Sequence, residues 1–145
     1  MILHGLRTLL LDQQAVTLLC PAQTINRVLY PGIFCDCAVQ GFKPPYVVLT
    51  QIGGDPMLTL DSYSETLKAI ECDIDSYSYS IPTARSLDRT IRQFLDDYSG
   101  VAGPDYTIKA VLFDEPVYSF DYPAEGADTK FHIVSTGYMI QYSTP

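Results

Sequence analysis

Between Ile70 and Tyr98 the spacing of apolar residues switches from every second position to every third or fourth. That switch restricts the chain to a fold mixing sheet and helix. Ile70, Cys72 and Ile74 alternate with Glu71, Asp73 and Asp75, so an extended segment from Glu65 to Tyr77 carries one apolar and one polar face. From Ser80 to Tyr98, the residues Ala84, Leu87, Ile91, Phe94, Leu95 and Tyr98 fall on one helical stripe, with Arg85, Asp88, Arg89, Arg92 and Asp96 elsewhere. Pro82 suits a first turn, where its missing N–H costs nothing. Gly100 stands just past the end, where a left-handed cap is expected.

The flanking segments extend this pattern. Leu3, Leu6, Leu10, Val16 and Leu19 recur at helical spacing until Pro21, which predicts an opening helix with a break near Asp12 to Gln14. A short extended piece, Arg27 to Tyr30, leads into a Pro31-Gly32 turn, and the stretch to Lys43 reads as irregular. Pro44-Pro45 keeps the chain extended ahead of a strand, Tyr46 to Ile52. Three more strands are expected at Tyr106 to Asp114, Val117 to Tyr122 and Lys130 to Tyr142, the last two forming a hairpin around Pro123 to Asp128. Gly137 predicts a bulge or a close approach by another backbone.

Runs of strand, helix and strand without βα alternation predict an α+β fold. The expected architecture is a mostly antiparallel sheet, two main helices packed on one face, and a projecting hairpin arm. The arm is the segment Gly53 to Ser64, with turn residues at both ends and Met57, Leu58, Leu60 and Tyr63 between them. Two readings stand for it: it folds back on its own core, or it reaches a neighbour. The 145 residues fit a single domain, 1–145, large enough for a core without metal or disulfide staples.

Composition narrows the function classes. A hydrophobic share of 47% and a charged share of 18% describe a folded chain. Eleven Tyr and six Phe with no Trp suit half-wet contact surfaces. A net charge of −8 disfavours tight nucleic-acid binding. No apolar run is long enough to span a membrane, and MILHGLRTLLLD lacks the cleavage site of a signal peptide. Cys35 and Cys37 are too close for a zinc knuckle and no second pair follows, so no metal or cofactor is expected. Cys72 points with Ile70 and Ile74, the position of a buried thiol. No nucleophile elbow or phosphate loop occurs, so catalysis is not expected. Glu71, Asp73 and Asp75 read as a solvated face.

The opening helix Leu6-Arg7-Thr8-Leu9-Leu10-Leu11 to Ala15-Val16 is followed by Val28-Leu29-Tyr30-Pro31-Gly32 and Pro44-Pro45-Tyr46-Val47-Val48. Then come Ile70 to Tyr77, the helix Ala84 to Leu95, and the aromatic strand Phe131 to Tyr142. In order and in motif this chain resembles the small tail-completion, or tail-terminator, family of long-tailed bacteriophages. The family often places Trp after its central strand, where this chain has Tyr77 and Tyr79, and Cys35-Asp36-Cys37 has no counterpart in it. The resemblance implies a virion protein at the head–tail junction, present in the host cytoplasm during assembly. It would form a six-fold ring of identical copies that caps the tail tube. Its implied partners are itself, the major tail tube protein and head-closure or connector proteins, with DNA passing through unbound. Another neck role, in head closure or connector binding, is the alternative, and a small-ligand module is a further one. Candidate contacts are Asp55, Pro56, Met57, Leu58, Leu60 and Tyr63 on the arm, and Arg85, Arg89 and Arg92 on the outer side of the second helix. The arginines either solvate that helix or pair with an acidic face of a neighbour.

Overall fold

The apolar stripe of the first segment forms α1 (Ile2–Leu11), which buries Ile2, Leu3, Leu6, Leu9 and Leu10. Gln13 is extended (φ −91°, ψ 107°) and separates α1 from the single turn α2 (Gln14–Thr17), so the expected break is present. The computed structural model describes residues 2–53, 67–122 and 130–143. The fold is α+β.

Gln23–Ile25 (β1) and Val28–Tyr30 (β2) make a two-stranded hairpin. Its loop residues Asn26 and Arg27 both have positive φ (51° and 67°), the requirement of a tight two-residue turn whose twist matches the strands. Arg27 therefore belongs to the turn and not to the extended piece. The stretch to Lys43 is also not wholly irregular, because Ile33–Cys35 (β3) runs parallel to β4 (Tyr46–Gly53). Only pairing with β4 gives so short a segment its strand state, which local pattern does not reveal. The chain enters β4 across a cis Pro44–Pro45 bond.

β5 (Leu67–Ser78) pairs antiparallel with β4 and with β9 (Phe131–Ser143). The alternation seen in sequence holds: Ile70, Cys72 and Ile74 are buried. Between β5 and β9 lie α3 (Ile81–Leu95), β6 (Gly100–Ala102), β7 (Tyr106–Phe113) and β8 (Val117–Asp121). Among the described residues, the main sheet runs β3-β4-β5-β9-β7-β6, with β8 also paired to β9. β7 and β8 share one edge of β9, and Asp114 to Pro116 interrupt that column opposite Gly137. Asp114 N–H donates to the Gly137 carbonyl at 2.9 Å. Gly137 itself carries no bulge, since its pairing with Asp73 is regular, and what lies over it is side-chain carboxylate and not backbone.

α1 and α3 pack on one face of this sheet in one core with Ile33, Val47, Leu49, Ile70, Ile74, Ile108 and Ile140. Gly5 makes the approach of α1 possible, since an added Cβ would lie 2.5 Å from the Ala102 carbonyl oxygen. Past α3, the left-handed residue is Asp97 (φ 54°), while Gly100 (φ 147°) opens β6. The expected glycine cap is therefore an aspartate, a residue that tolerates this conformation. On the opposite face Phe34, Phe42, Tyr46 and Val48 form a second core under Ile25, Tyr30, Ala38 and Val39. Tyr46 stacks on Tyr77 at 4.7 Å and meets Phe34 and Phe42 edge to face. Such ring pairs add about 0.5–1.5 kcal/mol each beyond area burial.

Candidate interaction surfaces

The three arginines of α3 separate into two kinds. Arg85 and Arg89 are exposed. Arg92 is partly buried, and its Nε–H donates to Asp88 Oδ2 at 2.8 Å. Asp88 is 2% exposed, and its other oxygen accepts the Thr136 hydroxyl at 2.6 Å. A carboxylate this deep needs both partners, because an uncompensated buried charge costs several kcal/mol. Arg92 is thus tied to Asp88 while 27% of its side chain stays exposed on the same cleft as Arg85 and Arg89. Asp88, expected off the apolar stripe, lies against the sheet for the same reason.

Arg85 and Arg89 border a cleft of about 280 Å³ between α3 and β8, floored by Val134 and closed by Pro116 and Tyr118. Every residue of β8 is exposed, with Val117 65% and Phe120 54% accessible. Its pairing with β9 (Asp121↔Phe131) agrees with the expected hairpin; the connecting residues 123–129 lie outside the described residues. Among the described residues, the far edge of β8 has no strand partner. Tyr118 OH and His132 Nδ1 share a 2.7 Å hydrogen bond, and the Lys130 ammonium sits 4.7 Å from the centroid of the Phe120 ring. These contacts fix the side chains without covering them. An uncovered apolar strand with a free edge is a surface for protein contact.

The second surface is on the face away from the helices. A hollow of about 320 Å³ around Gly137 is lined by Ile52, Glu71, Asp73, Leu112, Asp114 and Met139. An added Cβ at Gly137 would lie 3.4 Å from Asp114 Oδ2 and 3.5 Å from Asp73 Oδ1, so two carboxylates converge above the glycine. Burial, then the nearby charge of Asp75, raises the Asp73 carboxyl above its usual range. Burial does the same to Asp75, partly offset by a hydrogen bond from Ser135. Asp75 Oδ1 is buried without a hydrogen-bond partner among the described residues. Of the acidic run Glu71 is exposed, while Asp73 and Asp75 are half-buried.

The arm carrying Asp55, Pro56, Met57, Leu58, Leu60 and Tyr63 lies outside the described residues. β4 and β5, which it connects, are antiparallel neighbours. Cys72 is buried, as its alternation requires, and so is Cys20. Burial pushes both thiols up to about 12. Cys35 is half-buried and Cys37 exposed. Among the described residues, no three His, Cys, Asp or Glu side chains gather in a metal-binding group, and no helix is long and apolar enough to cross a membrane.

No family model matches the sequence, and no curated protein matches it. In architecture the chain is similar to a solved chain described as "Virion of native gene transfer agent (GTA) particle", with a TM-score of 0.57 and 10% identity. The likeness covers 97% of this chain and 94% of that one, and at such identity it is a likeness of fold.

Proposed function

We propose that this chain is a structural protein of a tailed, phage-like virion, assembling as a closed ring at the head–tail junction and capping the tail tube. The observation that carries this reading is the fold likeness to a chain of a gene transfer agent virion over nearly the full length of both. The resemblance to tail-completion proteins, with strand, helix and strand in the same order, points to the same part of such a particle. The bare strand β8, with Arg85 and Arg89 beside it and without an ion-pair partner among the described residues, supplies the kind of surface that a ring subunit needs. The role is one of binding and not of turnover: the thiols of Cys20 and Cys72 are buried and protonated, which suits packing and not nucleophilic work.

The test is an amber stop in the gene within the genome that encodes the particle, followed by electron microscopy of the lysate. The expected result is filled heads separated from tails, with tails of abnormal length. Joined particles with tails of normal length would overturn the reading.

A further inference from the structure

Arg85 and Arg89 stand one turn apart on α3, about 6 Å along its axis, on a chain whose net charge is −8. Neither has an ion-pair partner among the described residues, whereas Arg92 is held by Asp88. On the opposite face of the sheet, Asp73 and Asp114 converge on the open floor left by Gly137, and Glu71 stands at the rim. The side chains around these carboxylates are exposed and apolar: Ile52 and Leu112 are each 60% accessible, and Met139 is also exposed.

We propose that Arg85 and Arg89 of one copy seat in the carboxylate-lined hollow around Gly137 of the next copy, a head-to-tail contact between unlike faces. The occupant is a second copy of this chain because the two surfaces complement each other in charge and in chemistry. A guanidinium satisfies two carboxylate oxygens at once, and its stem covers apolar surface such as Leu112 and Met139. The incoming cation also offsets the charge of Asp75, which after burial is the second cause that raises the Asp73 carboxyl in the single chain. Geometry fixes the symmetry class. α3 packs on one face of β5 and β9 through Leu87 and Ile91, while Asp73 alternates with Cys72 and projects from the other. Two patches on opposite faces cannot both meet one partner across a two-fold axis. Each copy therefore contacts two neighbours, and the chain closes into a ring or extends as a filament.

This inference rests on the self-assembling reading above, and its test separates the two. Two variants are purified, Arg85→Glu with Arg89→Glu and Asp73→Lys with Asp114→Lys, and circular dichroism checks that each folds. Sedimentation velocity at low salt is expected to show association of the parent chain and at least a ~10-fold weaker association of each variant, about 1.4 kcal/mol. An equimolar mixture of the two is expected to restore assembly with the two variants alternating, because the retained patches pair with each other and so do the reversed ones. All four reversals in one chain should restore assembly. Should either variant misfold, Arg85→Gln with Arg89→Gln and Asp73→Asn with Asp114→Asn carry the loss arm of the test. A parent that stays monomeric at its solubility limit, variants that assemble like the parent, or a mixture that forms no mixed assembly would overturn the contact. If virions then still require the chain for head–tail joining, only the interface fails and the virion role stands.

Discussion

Asp88 accepts the hydroxyl of Thr136 at 2.6 Å, a contact that spans 48 residues of sequence and joins α3 to the centre of β9. The bond is charge-assisted and buried, the setting in which a hydrogen bond contributes most. Thr136→Val keeps the shape and removes the donor, and should cost about 1.5–3 kcal/mol in urea unfolding. Asp88→Ala also strands Arg92 and should cost about 3–5 kcal/mol. The double variant should be less destabilised than the sum of the two, since both remove the same contact. Simple additivity would mean that the pair does not hold the helix to the sheet.

The Asp88 contact also shows where sequence stops being informative. β5 and α3 are legible because each keeps one period over three or more repeats, and the buried residues match: Ile70, Cys72 and Ile74, then Ala84, Leu87, Ile91 and Leu95. Asp88 stands four residues after Ala84, on the edge of the stripe. Its charge argues for solvent, and its partner lies too far along the chain to be seen. Ile33 to Cys35 and Gly100 to Ala102 become strands only because β4 and β7 offer them partners. The strand Val117 to Asp121 is legible as a strand, but its exposure on both faces is not, because exposure depends on what packs nearby. The hollow at Gly137 likewise joins residues from β5, β7 and β9 and has no local signature, although the glycine itself marks its place.

α1 reaches β6 through Gly5. Gly5→Ala would place a methyl group 2.5 Å from the Ala102 carbonyl oxygen, which is backbone and cannot swing aside. Helix propensity alone favours alanine there by about 1 kcal/mol. Overpacking costs about 1–3 kcal/mol and should win, giving a net loss of stability. A lower urea midpoint with an unchanged slope is the expected measurement, and a higher midpoint would show that α1 lifts off β6 at no cost.

Asp73 and Asp75 are carboxyls whose folded pKa values are raised by burial. A raised carboxyl binds its proton more tightly when folded than when unfolded. Its contribution is therefore fully present below the unfolded pKa of about 3.9 and is lost as pH rises through the folded value. Asp75→Asn removes this loss. The stability of that variant relative to the parent should rise with pH across the window above about 3.9 and level off beyond the folded pKa. The opposite slope would mean that Asp75 is stabilised as the anion.

β8 should matter for association and little for folding. Phe120 is 54% exposed, and its contact with Lys130 is worth about 0.5–1 kcal/mol at such a site. Val117→Lys and Phe120→Lys place a charge on each face of a free strand edge, the device by which proteins discourage edge pairing. Both should change unfolding free energy by less than about 1 kcal/mol. Both should shift the parent assembly toward monomer in size-exclusion chromatography. A profile identical to the parent's would remove β8 from any subunit contact.

The four thiols give a final check on which residues the fold covers. Cys20 and Cys72 are buried, their pKa values pushed up to about 12, and the thiolate is the form that reacts. At pH 8 the fraction ionised is about one in ten thousand, from the four-unit gap between pH and pKa. Cys35 is half-buried and donates toward the Leu3 carbonyl, whereas Cys37 is exposed. A thiol-specific disulfide reagent should therefore modify Cys37 within the mixing time and Cys35 more slowly. Cys20 and Cys72 should react only at the rate of unfolding, and in urea all four should react together. Mass mapping after a timed quench reads the order directly. Early labelling of Cys72 would mean that β5 opens between α3 and β9, and the scaffold that holds Asp73 beside Gly137 would then not be the rigid sheet described.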